Sequence, residues 1–559
     1  MTSTYAESSQ NTKPKKKWSR DDVSTKIIDF KECKKALTQR EFARQTGVPR
    51  TTLQNWLTRM DKIDADPVLV SFFESPVGVN FLHTLILGLH FEFTKVGCAS
   101  IHNISNFLHL TRLSNFVAAS YGTHQKISNQ MDTMVGQFGD IEQARLALQM
   151  PEKLITLCED ETFHPQVCLV SIEPNSNYII LEKYANDRSG TTWNKAVNGA
   201  LAHLRVKVIQ GTSDEGKGLI HHVTKGLNAH HSPDLFHVIY EISRGTGAPL
   251  SARIRKAEKD HKNGEKAVND AMKRKKEYEN LEKRPVGRPL DFDKKIASCQ
   301  DKEQDAKTSL DQAKENLETV TNARKQISKA YHPYDLLTGT KQGSVNAGIQ
   351  LKKSFDQIRE ATNLLPERCK DRIEKAWRVT EKMIATLAFY FCMVESLVDD
   401  MDLPEDKRDL MITRLIPGFY LQKVSQKEKD QEQKEMIRQK SQELLSVLQN
   451  RSGPLSESDH SEIDRMARMA RQCAGLFQRS SSCVEGRNAQ LSLHHHGMHR
   501  LSDRKLKALT VIHNFHLKRP DGTTAAERFF ESKPINMFEW LVEKMPLPAR
   551  PRRKVKLVS

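Results

Sequence analysis

The sequence predicts an α/β core, built on a mixed five-stranded sheet, inside a mostly α-helical multidomain chain. Three observations lead to this fold class. Short apolar runs cluster between residues 153 and 243, and long charged stretches of helical composition follow them. The chain has 559 residues, which is too many for one simple core. We therefore expect several domains, with the sheet in one of them.

The apolar runs follow one another in an order that defines the sheet. KLITLCED at 153–160, QVCLVSIE and NYIILEKY read as three strands, with turn residues at Glu173–Ser176 between the last two. A helix fits 191–204, RVKVIQGTSDEGKGLI gives a strand, a loop and a helix start, and SPDLFHVIYEIS closes the block with a strand or a buried helix start. Three strands, a helix, a strand, a helix and a strand is the order of an RNase H-like core. Residues 151–250 are predicted to form its first part.

A long helical insertion is predicted to interrupt this core over 251–475. Within it, 251–332 reads as an antiparallel coiled-coil hairpin that turns at RPVGRPLDF. The turn is similar to the GRP core of minor-groove AT-hooks, which makes Arg288 a candidate DNA contact. It has Val286 where AT-hooks carry arginine, and a plain hairpin loop is the alternative. The core is predicted to resume over 476–530, followed by a basic carboxyl-terminal tail, 531–559.

The amino-terminal region predicts a DNA-binding domain. Residues 1–25 read as a disordered basic tail, and 26–61 contain LTQREFARQTGVPRTTLQNWLTRM, where the glycine and the apolar spacing match a helix-turn-helix. Four polar residues of the second helix would face a major groove: Arg50, Thr51, Gln54 and Asn55. A plain helical hairpin is the alternative. Residues 62–150 read as a helical connector or accessory domain.

Composition favours a polyanionic partner. Lys and Arg number 87 against 70 Asp and Glu, so the formal net charge is +17. Such a surplus attracts nucleic acid first and anionic membrane second. Eighteen consecutive apolar residues occur nowhere, the first twenty residues lack the apolar segment of a secretory signal, and the nine cysteines form no CxxC pair. These features indicate a chain of the reducing cytoplasm without a disulfide framework or a zinc ribbon.

Three acids far apart in the sequence are the candidate catalytic residues. Asp160 ends the first strand, Asp214 follows the fourth, and Glu485 opens a helix in SSSCVEGRN. In an RNase H-like sheet these positions meet, because the first and fourth strands are neighbours and the helix after the fifth packs beside them. Carboxylates are the ligands that Mg²⁺ prefers, and two such ions, about 3.5–4 Å apart, can drive phosphodiester chemistry. Asp160 would bridge both ions, with Asp214 and Glu485 holding one each.

These motifs resemble those of bacterial insertion-sequence DDE transposases that carry a large all-helical insertion between the second Asp and the Glu. LCEDETFHP, TSDEGKG, SPDLFH and SSSCVEGRN carry the resemblance, together with HNF and RPDGTTAAERFF further on. It implies Mg²⁺-dependent cleavage and strand transfer, with Mn²⁺ as a substitute ion. The implied partners are double-stranded DNA, as terminal repeats and target, and a second copy of the chain in a dimer or higher oligomer on DNA. The implied location is the nucleoid in a bacterial cytoplasm.

Four further residues are assigned to the site. Asp234 and His237 resemble the Asp-x-x-His element that several transposase families carry on the fifth strand, where it organises the active site; a satisfied core histidine is the alternative. Arg487 and Asn488 lie within a turn of Glu485 and are predicted to contact phosphate, or else to cap and solvate their helix. Two other functions remain open: an RNase H-like DNA nuclease without strand transfer, and a non-catalytic helix-turn-helix regulator.

Overall fold

A computed structural model describes residues 18–163, 166–283, 287, 290–498 and 501–551. The chain divides into two compact units. Unit 1 combines Met1–Met150 with Gln490–Ser559, and unit 2 is Pro151–Ala489. Both ends of the sequence therefore belong to the same unit, and the sheet lies in the other.

Helices account for most of both units. In chain order they are α1 Arg20–Cys33, α2 Gln39–Thr46, α3 Arg50–Met60, α4 Pro67–Phe73, α5 Pro76–Leu89, α6 Ile101–Leu110, α7 Tyr121–Ala147, α8 Gly190–Leu201, α9 Lys217–His221, α10 Leu235–Glu279, α11 Phe292–Ala330, α12 Ser344–Ala361, α13 Glu367–Asp399, α14 Glu405–Leu410, α15 Ile416–Lys427, α16 Gln431–Asn450, α17 His460–Leu476, α18 Ser482–Met498, α19 Asp503–Phe515, α20 Ala525–Phe530 and α21 Met537–Lys544. Short π-helical stretches, His90–Val96, His222–Gly226 and Met411–Leu415, continue α5, α9 and α14.

The sheet of unit 2 is mixed and five-stranded, as the sequence predicts. Its strands are β1 Lys153–Phe163, β2 Val167–Glu173, β3 Tyr178–Ala185, β4 Val206–Ser213 and β5 His230–Pro233. They lie in the order β3-β2-β1-β4-β5. The first three are antiparallel neighbours, whereas β4 pairs in parallel with both β1 and β5. This topology is consistent with an RNase H-like core and confirms the predicted fold class.

The insertion leaves the sheet directly from β5. Asp234 caps α10, which runs for 45 residues and returns as α11. The two helices are antiparallel, since His261 pairs with Glu303 at 2.9 Å and Lys275 with Asp293 at 2.6 Å. The hairpin thus begins at Leu235 rather than at the predicted 251, because β5 is only four residues long. Arg288, the candidate DNA contact at its turn, lies outside the described residues.

Local interactions fix the predicted helix-turn-helix segment. Thr38 and Glu41 form a capping box at the start of α2, and Gly47 ends that helix at φ +68°, a left-handed conformation that favours glycine. Phe42, Val48 and Leu53 then pack together with Phe30 of α1. The sequence pattern and the geometry agree because capping, turn and apolar spacing are all short-range features.

Three further predicted boundaries differ from the structure. Residues 20–25, assigned to a disordered tail, begin α1. Residues 490–530, assigned to the sheet domain, belong to unit 1, where α19 packs on α7. Residues 531–551, assigned to a basic tail, contain α21 and are fixed by the bond from Ala118 N to Ala549 O at 2.8 Å. The residues that these segments pack against are distant in the sequence, so the local sequence pattern does not predict them.

Among the described residues, no single helix has the length and apolar composition needed to cross a membrane. The consecutive segments Pro67–Phe73 and Pro76–Val96 together have that length and composition, but they are bent by 76° relative to each other.

Candidate active site

Strand pairing brings Asp160 and Asp214 to the same place. Cys158 of β1 is in register with Thr212 of β4, and the two strands are parallel. Asp160 and Asp214 each lie two residues further on, one inside β1 and the other immediately after β4. Side chains two residues apart share a face of a strand, and neighbouring strands are about 4.8 Å apart. Two acids separated by 54 positions in the sequence are therefore close neighbours.

The first turn of α18 brings Glu485 to these acids. Asn488 Nδ2 donates to Asp160 Oδ2 at 3.4 Å, so this side of α18 lies over the end of β1. Glu485 precedes Asn488 by three residues, and residues three apart lie on the same face of a helix. The segment before α18 is held by Cys158 Sγ, which donates to Ser480 O at 3.6 Å, and by Leu235 N, which donates to Arg479 O at 2.9 Å.

The electrostatics of Asp160 reflect this convergence. The pKa of Asp160 is raised to about 7, chiefly by burial and also by the charges of Glu485 and Asp214, against the lowering effect of the Glu161 N–H and of His237. Like charges brought together in a partly buried place disfavour the ionised form. A cation at this position would relieve that repulsion.

Asp234 and His237 lie beside the three acids. Asp234 is fully buried as the N-cap of α10: its Oδ1 accepts from Phe236 N at 2.7 Å, and its Oδ2 accepts from Ser481 Oγ at 2.5 Å. His237 Nδ1 lies 3.2 Å from Asp234 Oδ2, and its side chain is 39% exposed. That hydrogen bond raises the pKa of His237 above its usual value despite burial, and the charges of Asp214 and Asp160 add to the rise.

The pair belongs to a helix start rather than to the fifth strand, where the resemblance placed it. Asp234 directly follows β5 and His237 lies in the first turn of α10. His237 is half-exposed at a cleft, and it is therefore not the fully enclosed core histidine that the alternative interpretation required.

Arg487 corrects one prediction. Its guanidinium forms a bidentate ion pair with Glu182 of β3. Nε donates to Oε1 at 2.7 Å and Nη2 to Oε2 at 2.6 Å, and both side chains are buried. A buried, doubly bonded guanidinium is not available to a phosphate. The expected DNA contact is instead a tie between α18 and the sheet. Asn488, predicted with it, donates to Asp160 Oδ2, and its phosphate contact stays a prediction.

Two acids next to Asp160 have separate partners. Glu159 is fully buried and accepts from Ser171 Oγ at 3.0 Å, with His222 Nε2 at 3.3 Å. Glu161 accepts from Trp193 Nε1 at 3.2 Å and pairs with Arg188 at 3.1 Å. Strand alternation accounts for this, since both residues point to the opposite face of β1 from Asp160.

A cleft of about 510 Å³ opens beside Asp214, the one of the three candidate acids among its lining residues, and Glu161 of β1 and Arg188 also line it. The β4–α9 loop and the first two turns of α10 line it together with α13 of the insertion. Its lining includes Asp214, Glu215, Lys217, Asp234, His237, Glu241 and Lys375. The sequence did not indicate the contribution of α13, because no local signal in a charged helix shows which of its turns faces the sheet.

The donor set fits Mg²⁺, although the side chains do not converge on one point in this conformation. Asp160, Asp214 and Glu485 offer only carboxylate oxygens, the hard ligands that Mg²⁺ prefers. Over the described parts of the chain, no group of three His, Cys, Asp or Glu side chains is arranged to hold a metal ion. Asp160 Oδ1 and Asp214 Oδ1 accept instead from the backbone N–H groups of Glu161 and Gly216, each at 2.8 Å. Coordination therefore requires these carboxylates to rotate.

The predicted DNA-reading residues of the helix-turn-helix are all on the surface. Arg50, Thr51, Gln54 and Asn55 are exposed on α3, whereas Leu53 between them is buried. Arg40, Arg44 and Arg50 surround a shallow cleft at the turn. The arrangement leaves one polar, basic face of α3 open to a ligand.

Comparison with known proteins adds one match. Residues 411–557 match a family model described as a family of unknown function (DUF6399). The matched range contains Glu485 but neither Asp160 nor Asp214. No curated protein matches the chain.

Proposed function

We propose that this chain is a DDE-type transposase that binds the ends of its mobile element, cleaves them and transfers them to target DNA. One observation carries the proposal: Asp160, Asp214 and Glu485 approach one another on an RNase H-like sheet although 271 positions, most of them inserted helix, separate the last two. Unrelated surface acids have no reason to meet in this way. The exposed polar face of α3 and the charge of +17 support a DNA substrate.

Each residue of the site has a separate task in this proposal. Asp160, Asp214 and Glu485 would hold Mg²⁺, which when bound supplies charge stabilisation and an activated oxygen nucleophile for phosphodiester chemistry. Asp234 fixes the orientation of His237 through Nδ1. His237 in its protonated form is suited to hold a phosphate oxygen at the cleft.

The test is Mg²⁺-dependent cleavage by the full chain, with DNA that flanks its gene as the labelled substrate and a supercoiled plasmid as the target. We expect Asp160→Asn, Asp214→Asn and Glu485→Gln each to lower cleavage at least about a hundredfold, since each removes a ligand of the ions. Glu215→Gln is the matched control, because Glu215 adjoins Asp214 in the cleft but pairs with Lys382. Its cleavage should stay within a fewfold of the parent.

The products separate the three functions. Joined plasmid products identify a transposase, nicks without joining identify a nuclease, and DNA binding without cleavage identifies a regulator. Near-parental cleavage by any of the three acid variants would remove that acid from the site. A second readout needs no activity: Mg²⁺ should raise the denaturation midpoint of the parent and leave that of Asp160→Asn unchanged.

A further inference from the structure

One wall of the cleft is built by the insertion and carries cations. Lys375, Ala376 and Val379 of α13 line it together with His237, Val238 and Glu241 of α10. Glu241 lies one helical turn, about 5.4 Å, beyond His237 on α10. The cationic part of this wall is therefore one turn further along the cleft than the histidine beside the three acids.

Two cations share the Glu241 carboxylate, and of the two Lys375 lines the cleft. Glu241 Oε2 accepts from Arg372 Nη1 at 2.7 Å, and Glu241 Oε1 accepts from Lys375 Nζ at 2.8 Å. Two positive charges against one negative charge leave a surplus of one positive charge. The Glu241 side chain is 16% exposed, whereas that of Lys375 is 67% exposed. The surplus charge therefore meets the solvent of the cleft.

The free donors of this cluster are suited to a second anion. A lysine ammonium has three N–H donors, and a guanidinium has five in a planar fork that matches phosphate. Glu241 accepts one hydrogen bond from each of them. Exposed ion pairs are weak, so a phosphate can join Lys375 without first breaking a strong contact.

We propose that Lys375 of the inserted helix α13, with Arg372 sharing Glu241 beside it, binds a backbone phosphate of the DNA strand that lies in the cleft. Glu241 holds both side chains in position and limits their net charge. The inference rests on the proposed function for the identity of the polyanion, and it gives the insertion a direct part in holding the substrate beside the acids.

Substitutions of Lys375 and Glu241, the two members of this ion pair, are expected to change DNA affinity in opposite directions. The full chain is titrated by fluorescence anisotropy, in EDTA, with a labelled duplex of mixed sequence that ends in a single-stranded 3′ extension. We expect Lys375→Gln to weaken binding several-fold and to reduce the slope of log K against log salt by about 0.9, the loss of one phosphate contact. Glu241→Gln removes a negative charge from the wall and should tighten binding.

An ion pair between Glu395 of α13 and Lys341 of the α11–α12 connection is the matched control. Lys341 and Glu395 are 3.0 Å apart and each is 46% exposed, but neither lines the cleft. Lys341→Gln and Glu395→Gln should leave the slope unchanged, and the helix-turn-helix contributes equally in every variant. Tighter binding by Glu241→Gln cannot result from misfolding.

The proposal is overturned if Lys375→Gln keeps the parental slope, or if Lys375→Gln and Glu241→Gln shift affinity in the same direction. Because no cleavage is measured, the outcome is separate from that of the proposed chemistry. A slope change together with normal cleavage by Asp160→Asn would keep this contact and reject the transposase site. The reverse result would keep the site and reject the contact.

Discussion

Arg487 and Glu182 form an ion pair that water barely reaches, with side chains 5% and 0% exposed. Removing one partner of a buried pair leaves the other charge without compensation, which costs about 3–5 kcal/mol. Arg487→Met should therefore lower the free energy of unfolding by about that amount. Glu182→Met with Arg487→Met should recover part of the loss, because two apolar side chains need no partner. Urea denaturation measures both, and a double variant less stable than either single variant would contradict this account.

Lys505 gives unit 1 a distinctive dependence on pH. Its ammonium donates to Thr94 O at 2.8 Å and lies 3.9 Å from Asp132, which pairs more closely with Lys95 at 2.5 Å. The pKa of Lys505 is lowered to about 7, chiefly by burial and also by the charge of Lys95, while the charges of Asp132 and Cys98 oppose the lowering. The unfolded chain holds this proton up to its ordinary pKa of 10.5, so folding releases a proton between the two values.

The sign of the effect follows from that proton release. Stability should rise as pH increases from about 7 to about 10, by an amount on the order of a few kcal/mol, because the unfolded state binds the extra proton. Lys505→Met removes the titrating group and should flatten the rise. Thermal denaturation of parent and variant across this range gives the difference. Parallel curves for the two proteins would show that Lys505 does not titrate in this window.

Two glycines on α7 differ in what surrounds them, and the difference predicts opposite effects. A Cβ at Gly139 would stand 2.4 Å from Val511 Cγ2 of α19, whereas one at Gly136 would meet Lys507 Cδ at an ordinary 3.5 Å. Val511 is β-branched and has little rotamer freedom in a helix. Gly139→Ala should therefore cost about 1–3 kcal/mol of stability through overpacking.

Gly136→Ala is the control on the same helix. Alanine is favoured over glycine in a helix interior by about 0.5–1 kcal/mol, so this variant should be as stable as the parent or more so. Chemical denaturation of both variants decides the matter. Equal effects at the two positions would show that α7 and α19 do not pack as closely as the structure has them.

At the scale of the whole molecule, unit 1 is completed by the carboxyl-terminal segment. Phe138 of α7 contacts Phe515 of α19 and Trp540 of α21, with ring centroids 5.8 and 5.5 Å apart. A chain that ends at residue 500 would leave this apolar face of α7 uncovered. We expect hydrogen exchange to show a loss of protection in α7, with protection retained in β1 and β4. A chain that ends at Pro551 keeps every described contact and is the control; unchanged protection of α7 in the shorter chain would refute the role of the segment.

Short-range patterns predicted much of the fold and part of the site. The order of apolar runs was enough to predict β1 to β4, whereas the fifth run, SPDLFHVIYEIS, contributes only Ser232 and Pro233 to β5 and otherwise begins α10. Gly47 with its flanking apolar residues was enough for the turn between α2 and α3. The positions of Asp160 and Asp214 followed from strand order, because residues at matching points of neighbouring parallel strands must be close. The sequence predicted Asp234 as a residue near the acids. It did not predict that Asp234 is the N-cap of α10 and accepts a hydrogen bond from Ser481 Oγ.

The sequence by itself determined most of the elements, the placement of Asp160 and Asp214 at neighbouring strands and the basic charge, since each depends on residues near one another or on composition. Tertiary structure alone decided that Arg487 pairs with Glu182, that α13 lines the cleft and that residues 490–551 complete unit 1. Those outcomes depend on which distant surface buries each side chain. Burial decides whether a charged side chain pairs within the fold or can contact a ligand, and the local sequence pattern does not predict that burial.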